Sequence, residues 1–352
     1  MKMNMRQSIH VLAVLVLFMA TGTLQARENI GMARKNASAY QRLANDCNDA
    51  TSQVDLDINN VRARLLGAGD FWWDLTNPVY VVPKVDPSTG VIEVSSLFAG
   101  ALWLGGIDAG GQLKIAAQTY RQSGNDFWPG PLDNLGTTSS DVCSAYDRHW
   151  KVDRIQIDEH IALAAAGVPV SLGSIPNAIL EWPARNNPYA KGKNSVSLTI
   201  DRNLAPFVDA DGNGEYDPTQ GDYPDVDGDQ AIFWVYNDKG NIHSETNGDA
   251  MSIEIQALAF GFKTSDEIND MTFYRYQILN FSTGPLDSTF FAVWSDADLG
   301  WYLDDYVGCD TALDLGICYN GQAVDGPGSP NYGNRPPIVG TDFFQGPKKF
   351  FN

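Results

Sequence analysis

Basic side chains are scarce in this chain: 24 Lys and Arg stand against 43 Asp and Glu, a formal net charge of −19. That balance argues against nucleic acid and anionic membrane as partners, because both repel an acidic surface. Histidine is rarer still, with four in 352 residues. No HExxH pair, GxSxG elbow, Walker loop or full GxGxxG fingerprint occurs. Gly67-Ala68-Gly69 runs into Asp70 and reads as a turn, not a phosphate cradle. After the N-terminus no apolar run approaches the roughly 20 residues that a membrane-spanning helix needs, so no transmembrane segment is expected.

Residues 1–26 read as a secretory signal peptide. Lys2 and Arg6 form a basic start, Val11 to Met19 an apolar run, and Leu24-Gln25-Ala26 a small-residue exit before Arg27. No cysteine follows the run to carry a lipid. Its removal leaves 22 basic against 43 acidic residues, a net −21, on a protein expected to be secreted and extracellular or at the cell surface. In that oxidising setting Cys47, Cys143, Cys309 and Cys318 permit two disulfides. Cys309 and Cys318 are close enough in sequence to clamp a local loop, with Cys47 and Cys143 as the second pair. The other pairings, and free buried thiols, stay open. No CxxC spacing or neighbouring histidine makes them metal ligands.

Residues 27–56 are polar and weakly patterned, which predicts a flexible lead-in. From 57 to 347 short strand-like runs alternate with Gly, Pro, Asn and Asp, and the last five residues, 348–352, read as a truncated tail. Val79–Val82 and Val91–Val94 flank a Pro87–Gly90 turn, and Ala101–Leu104 and Leu113–Ala116 flank Asp108–Gly111; each is a hairpin signal. Asp158 to Ala166 is helix-prone, with Asp158 as cap and Gly167 as stop, and a second short helical piece falls between Pro176 and Pro183. Strands are predicted at Ile232–Tyr236, Ser252–Phe262, Thr272–Phe281 and Thr289–Trp294. Tyr274, Tyr276 and Ile278 alternate with Arg275 and Gln277, a strand with one wet face. Phe290–Trp294 is apolar on both faces, as in a central strand. The pattern predicts a mainly β chain: an antiparallel, sandwich-like domain with a short helical segment and an acidic loop inserted at 205–230.

That loop is the densest chemistry in the sequence. Between 209 and 229 stand seven aspartates, Glu215 and Asn213, without a lysine or arginine. With Asp209 as position 1, Asp211, Asn213, Gly214, Glu215 and Asp217 take positions 3, 5, 6, 7 and 9 of a calcium loop. Position 12 breaks the pattern, since Gln220 stands there, and Pro206 and Pro218 leave no room for flanking helices. Asp222 or Asp225 would supply the missing bidentate group. Asp225, Asp227 and Asp229 begin the same pattern again. Crowded carboxylates repel one another unless a cation lies among them, so a structural Ca²⁺ is expected, bound at roughly 10⁻⁴ to 10⁻³ M as in extracellular modules. The alternative is a run of Asx turns with no ion.

Asp296, Asp298, Asp304 and Asp305 form a second acidic group, a candidate for another ion or for turn caps. Asp296 with Asp298 or Glu254 would be the carboxylate pair if the chain cleaved glycosides, although aspartate is common in turns. Trp72, Trp73, Trp128 and Trp301 sit beside Gly, Asp or Pro, where exposed rings would stack on sugars; core packing is the competing reading. His149 reads as a strand entry and His160 as a surface or packed side chain.

Several phrases resemble large secreted surface proteins of Bacteroidota-type bacteria, exported through type IX secretion. They are Phe71-Trp72-Trp73, Leu102-Trp103-Leu104-Gly105-Gly106, Ala205 to Asp209 with Gly221-Asp222-Tyr223-Pro224, and Asp304 to Asp310. Tyr319-Asn320-Gly321, Pro336-Pro337 and Phe343 to Pro347 complete the set. The resemblance covers residues 58–347 and implies the N-terminal β-rich region of a surface protein, without an attached activity. Together these features predict a non-enzymatic, calcium-stabilised module in adhesion or matrix association, meeting a glycan or a cell-surface or matrix protein. The alternative is a glycan-binding or glycoside-processing protein.

Overall fold

Alternation of side chains along the strands decides how this chain layers. The computed structural model describes residues 47–346 and Lys348; the signal peptide, the lead-in as far as residue 46 and the end of the tail lie outside the described residues. In chain order the first strands are β1 (Gln53–Leu56), β2 (Arg62–Leu66), β3 (Asp70–Phe71), β4 (Tyr80–Val81), β5 (Ser95–Leu97), β6 (Ala99–Ile107), β7 (Leu113–Ala116) and β8 (Trp128–Pro129). Helix α1 (Ser140–Tyr146), strand β9 (Trp150–Asp153), helix α2 (Arg154–Ala166) and the single turn α3 (Asn177–Leu180) follow. Then come β10 (Phe207–Val208), β11 (Tyr223–Pro224), β12 (Gln230–Asn237), β13 (Ile253–Gly261), β14 (Phe273–Asn280) and β15 (Asp287–Asp296). Strands β16 (Asp305–Asp310), β17 (Leu315–Asn320) and β18 (Ile338–Asp342) complete the order.

The protein is mainly β, and its strands pair antiparallel. An eight-stranded sheet runs β15-β6-β3-β2-β4-β5, with β1 on β2 and β7 on β6. A five-stranded sheet runs β14-β13-β12-β8, with β9 also on β12. A β10–β11 pair and a β16-β17-β18 sheet complete the set. Strand β12 is buried along its whole length, and its alternation divides two cores. Ile232, Trp234 and Tyr236 join Ile253, Ile255 and Ala257 of β13 in a cluster with Leu65, Phe71, Leu102 and Leu104 of the larger sheet. Ala231, Phe233 and Val235 face the other way, into a cluster with Ile157 of α2, Ile179 of α3, Trp182 and Tyr216. Tyr274, Tyr276 and Ile278 pack on the first cluster while Arg275 and Gln277 are exposed, as the period of two predicts.

Several elements depart from the sequence-based expectation. Residues 47–56 are not a loose lead-in: Cys47 is disulfide-bonded to Cys143 with Cα atoms 5.8 Å apart, and β1 pairs with β2. Val91–Val94 forms no strand; Tyr80 and Val81 pair instead with Leu97 and Ser95, where Ser95 Oγ bonds the backbone of Tyr80 on both its N–H and its C=O. Helix α2 starts four residues early, because Gln156 accepts from Asp153 N at 3.0 Å and caps the helix there. Phe290–Trp294 lies in an edge strand that, among the described residues, pairs only with β6. One face, Phe291 and Val293, packs on the first core; on the other, Trp294 stacks on Trp103 at 6.0 Å while Phe290 and Ala292 are exposed, unlike a central strand.

The expected Cys309–Cys318 bridge is absent: Cys309 is an exposed and Cys318 a buried free thiol. Across β16 and β17, Cys309 faces Gly316 and Cys318 faces Val307. The two cysteines are thus diagonal neighbours, about 7–8 Å apart in an antiparallel pair, beyond ordinary disulfide reach. No helix among the described residues is long and apolar enough to cross a membrane.

Candidate metal centre

The acidic loop is a clamped structure, and its frame decides which carboxylates meet. Phe207 pairs with Pro224 and Val208 with Tyr223, so the chain from 209 to 222 returns on itself. Helix α2 and its neighbours hold this excursion from beneath. His160 Nε2–H donates to Asp222 O at 3.1 Å, Tyr216 O–H donates to Ile179 O at 2.8 Å, and Trp182 Nε1–H donates to Pro206 O at 2.9 Å. Gly221 turns with φ 101° against Ala164 and Val168, where a Cβ would come within 3.1 Å of the Ala164 methyl. Arg154 holds the exit through the carbonyls of Val226 and Gly228. Burial lowers the His160 pKa, so its ring is neutral and braces the loop as an uncharged donor.

Within that frame one oxygen each from Asp209, Asp211 and Asp222 come within 4.8 Å of one another, the only such group of acidic, His or Cys ligand atoms among the described residues. Asp209 takes up the turn, accepting from Gly212 N at 2.7 Å, Asn213 N at 3.2 Å and Gly214 N at 2.7 Å; Gly214 permits this with φ 81°. Those bonds, with Gly214 first, hold the Asp209 carboxyl below its usual range. Asp222 is fully buried and accepts from Ala210 N and Asp217 N, each at 2.8 Å. Burial, and then the charges of Asp211 and Asp209, push its pKa up against those bonds. None of the three carboxylates has a Lys, Arg or His ion pair among the described residues. The donor set is all hard oxygen, with the Asn213 side-chain oxygen close in sequence, and suits Ca²⁺ better than a softer metal. Each carboxylate keeps lone pairs beyond those used by the N–H groups.

The remaining expected ligands serve other purposes. Asn213 Oδ1 accepts from Glu215 N, Glu215 accepts from Asn186, and Asp217 caps the turn at Thr219. Asp225, Asp227 and Asp229 lie beyond the β10–β11 pair. Asp227 is ion-paired with Arg275 at 2.7 Å, and Asp229 accepts from Lys263 N.

Asp296, Asp298, Asp304 and Asp305 are neighbours without forming a comparable group. Asp296 accepts the Tyr120 hydroxyl, Asp305 accepts from Leu299 N at 2.8 Å, and Asp304 reaches Gly326 N at 3.4 Å. Their influence is mutual repulsion: burial, then Asp296 and Asp305, push Asp298 up to about 6. Asp325, which the sequence reading passed over, is buried nearby and ties Trp301 N to Tyr332 N. Glu254 is fully buried, accepting from Leu132 N and Gln256 and pairing with Arg202. None of those partners belongs to the Asp296 group.

Trp72, Trp73 and Trp128 are interior side chains, 4, 2 and 2% exposed, and offer no ring face to a sugar. Trp72 donates to Tyr274 and Trp73 to Asp70. Trp301 is half-buried, its ring so close to Gly328 that any side chain there would collide. No family model, curated protein or solved structure matches this chain.

Proposed function

We propose that this chain is a non-enzymatic, calcium-stabilised module of an exported surface protein, acting in adhesion or matrix association. Its two large sheets are read as the layers of a β-sandwich, the role of the common core between them. The observation that carries the metal reading is the Asp209–Asp211–Asp222 group: three converging carboxylates, one fully buried, with no basic side chain paired to them among the described residues. Asp209, Asp211 and Asp222 would hold the ion, which would supply the missing positive charge and fix the loop. Glu254, Trp72, Trp73 and Trp128 are interior side chains, which weighs against their touching a glycan. The signal-like N-terminus and the likeness to type IX-exported surface proteins support the extracellular setting.

The test is a melt of the exported chain in EDTA and in millimolar Ca²⁺. For a site of the extracellular class, Ca²⁺ at about 10 mM adds about 1.4–2.7 kcal/mol, a rise in midpoint of several degrees. Asp211→Asn, at an exposed position, should remove most of that rise while leaving the EDTA midpoint nearly unchanged. Coincident melts with and without calcium in the parent chain would end the metal reading.

A further inference from the structure

Residues 238–252 join β12 to β13 and lie tightly against the body of the protein. A Cβ on Gly124 would come within 2.2 Å of the Ser244 carbonyl carbon, and one on Gly248 within 2.3 Å of the Ile115 side chain. Cys47 N donates to Gly240 O at 3.1 Å, so the same loop seats the disulfide-bonded Cys47. In its middle stands His243, only 3% exposed.

Every polar atom that the His243 ring meets is an acceptor. Nδ1 lies 2.8 Å from Ile115 O, and Nε2 lies 2.6 Å from Asp238 O. Asp126 and Asp238, both fully buried, each place an Oδ2 3.8 Å from one of the two nitrogens. A neutral imidazole has one N–H and one bare nitrogen. Whichever nitrogen lacked its proton would turn a lone pair on a carbonyl oxygen. Only the doubly protonated ring satisfies both contacts.

The surroundings fit a cation. Asp238 accepts from Met251 N on one oxygen and Ile253 N on the other. Asp126 accepts from Glu245 N on one and Ala117 N on the other. N–H donors on both oxygens favour the carboxylate form of each. Burial pushes the Asp238 carboxyl up, and the His243 charge is first among the effects that pull it back. The Trp128 ring centroid lies 6.0 Å from that of His243, within cation–π reach. The other charges nearby stand outside this core. Lys239 follows Asp238, Glu245 lies two residues beyond the ring, and Lys114 on β7 is paired with Asp108 and Asp249.

We propose that His243 is a buried imidazolium that latches the 238–252 loop to β7 and Asp126, and that the latch opens when rising pH removes its second proton. Loss of that proton sets a lone pair against a carbonyl and leaves two buried carboxylates without their cation. Moving the loop into water relieves both costs. The closed loop holds the proton more tightly than the open one, so closure is complete at low pH and fails as pH rises. None of these residues belongs to the metal centre, and the latch does not depend on calcium.

Nitrogen-15 NMR of the histidine rings in the full chain, assigned through the backbone and followed with pH, tests the proposal. At about pH 7.5, above the ordinary histidine range, both His243 nitrogens should carry protons. Protection of the Ser244, Glu245 and Met251 amides from hydrogen exchange should fall about tenfold over the pH range where the second proton leaves. Lys239→Glu puts a negative charge beside Asp238 without touching the buried contacts, and should carry both events to higher pH together. His243→Gln cannot titrate, so its loop protection should lose that pH dependence. A bare ring nitrogen at about pH 7.5 would overturn the assignment. So would loop protection that stays constant while the ring loses its proton, or a Lys239→Glu chain in which one event moves without the other.

Discussion

Single carboxylates carry unequal burdens in this protein, and Asp298 carries one that pH can relieve. Beside Asp296 and Asp305 its carboxyl is held at about 6, against an ordinary 3.8. A raised pKa means that the folded chain binds the proton more tightly than the unfolded chain. The stability it contributes is complete below about pH 3.8 and is lost as pH rises through about 6. Asp298→Asn is neutral at every pH and escapes that loss. Its melting midpoint should gain on the parent at about pH 8 and keep only about half of that advantage at about pH 5. An equal difference at both pH values would show that the cluster's repulsion does not govern stability there.

Among the elements, the strands were the most readable. Runs such as Phe273–Ile278 alternate cleanly because one face meets a core and the other meets water. The hairpin from Ala101 to Ala116 was legible for the same reason, with Asp108 and Gly111 making its turn. Legibility failed where a distant partner decided the outcome. Ser95 Oγ moved the β4 partner strand past Val91–Val94, and no local pattern announces that. The acidic loop declared its chemistry through composition, yet which aspartates meet depends on the β10–β11 pair and on His160, 62 residues away from its partner Asp222. The open depression beside His149 was invisible because its lining residues come from four separate segments, 52–54, 147–149, 181 and 192–195. The first of those segments is anchored by the Cys47–Cys143 bridge, which closes a separation of 96 residues. Cys47→Ser with Cys143→Ser should cost about 2–4 kcal/mol, read as a lower denaturant midpoint with a steeper slope, because the unlinked unfolded chain exposes more surface. An unchanged midpoint would mean that β1 and the Asp147 contacts suffice to dock residues 47–56.

At the scale of the whole molecule, β12 makes the two cores interdependent. Residues from the same strand fill both, so loosening the loop-bearing side exposes Phe233 and Val235 on the back of the sheet that also closes the other core. The calcium melt should therefore shift one cooperative transition, not split it into two. A separate early step in calcium-free buffer would show that the layers come apart independently.

The outer strands have a practical consequence. Edge β15 presents Phe290 at 76% exposure, and the three-stranded sheet presents Val307 at 79% and Ile338 at 70%. Open strand edges with apolar side chains invite pairing between molecules, and what opposes it here is long-range repulsion between copies of charge −19. Salt shortens that repulsion from about 10 Å at 0.1 M to about 3 Å at 1 M. Concentrated stocks should therefore remain clear in dilute buffer and cloud in strong brine, the reverse of a protein that clumps through opposite charges.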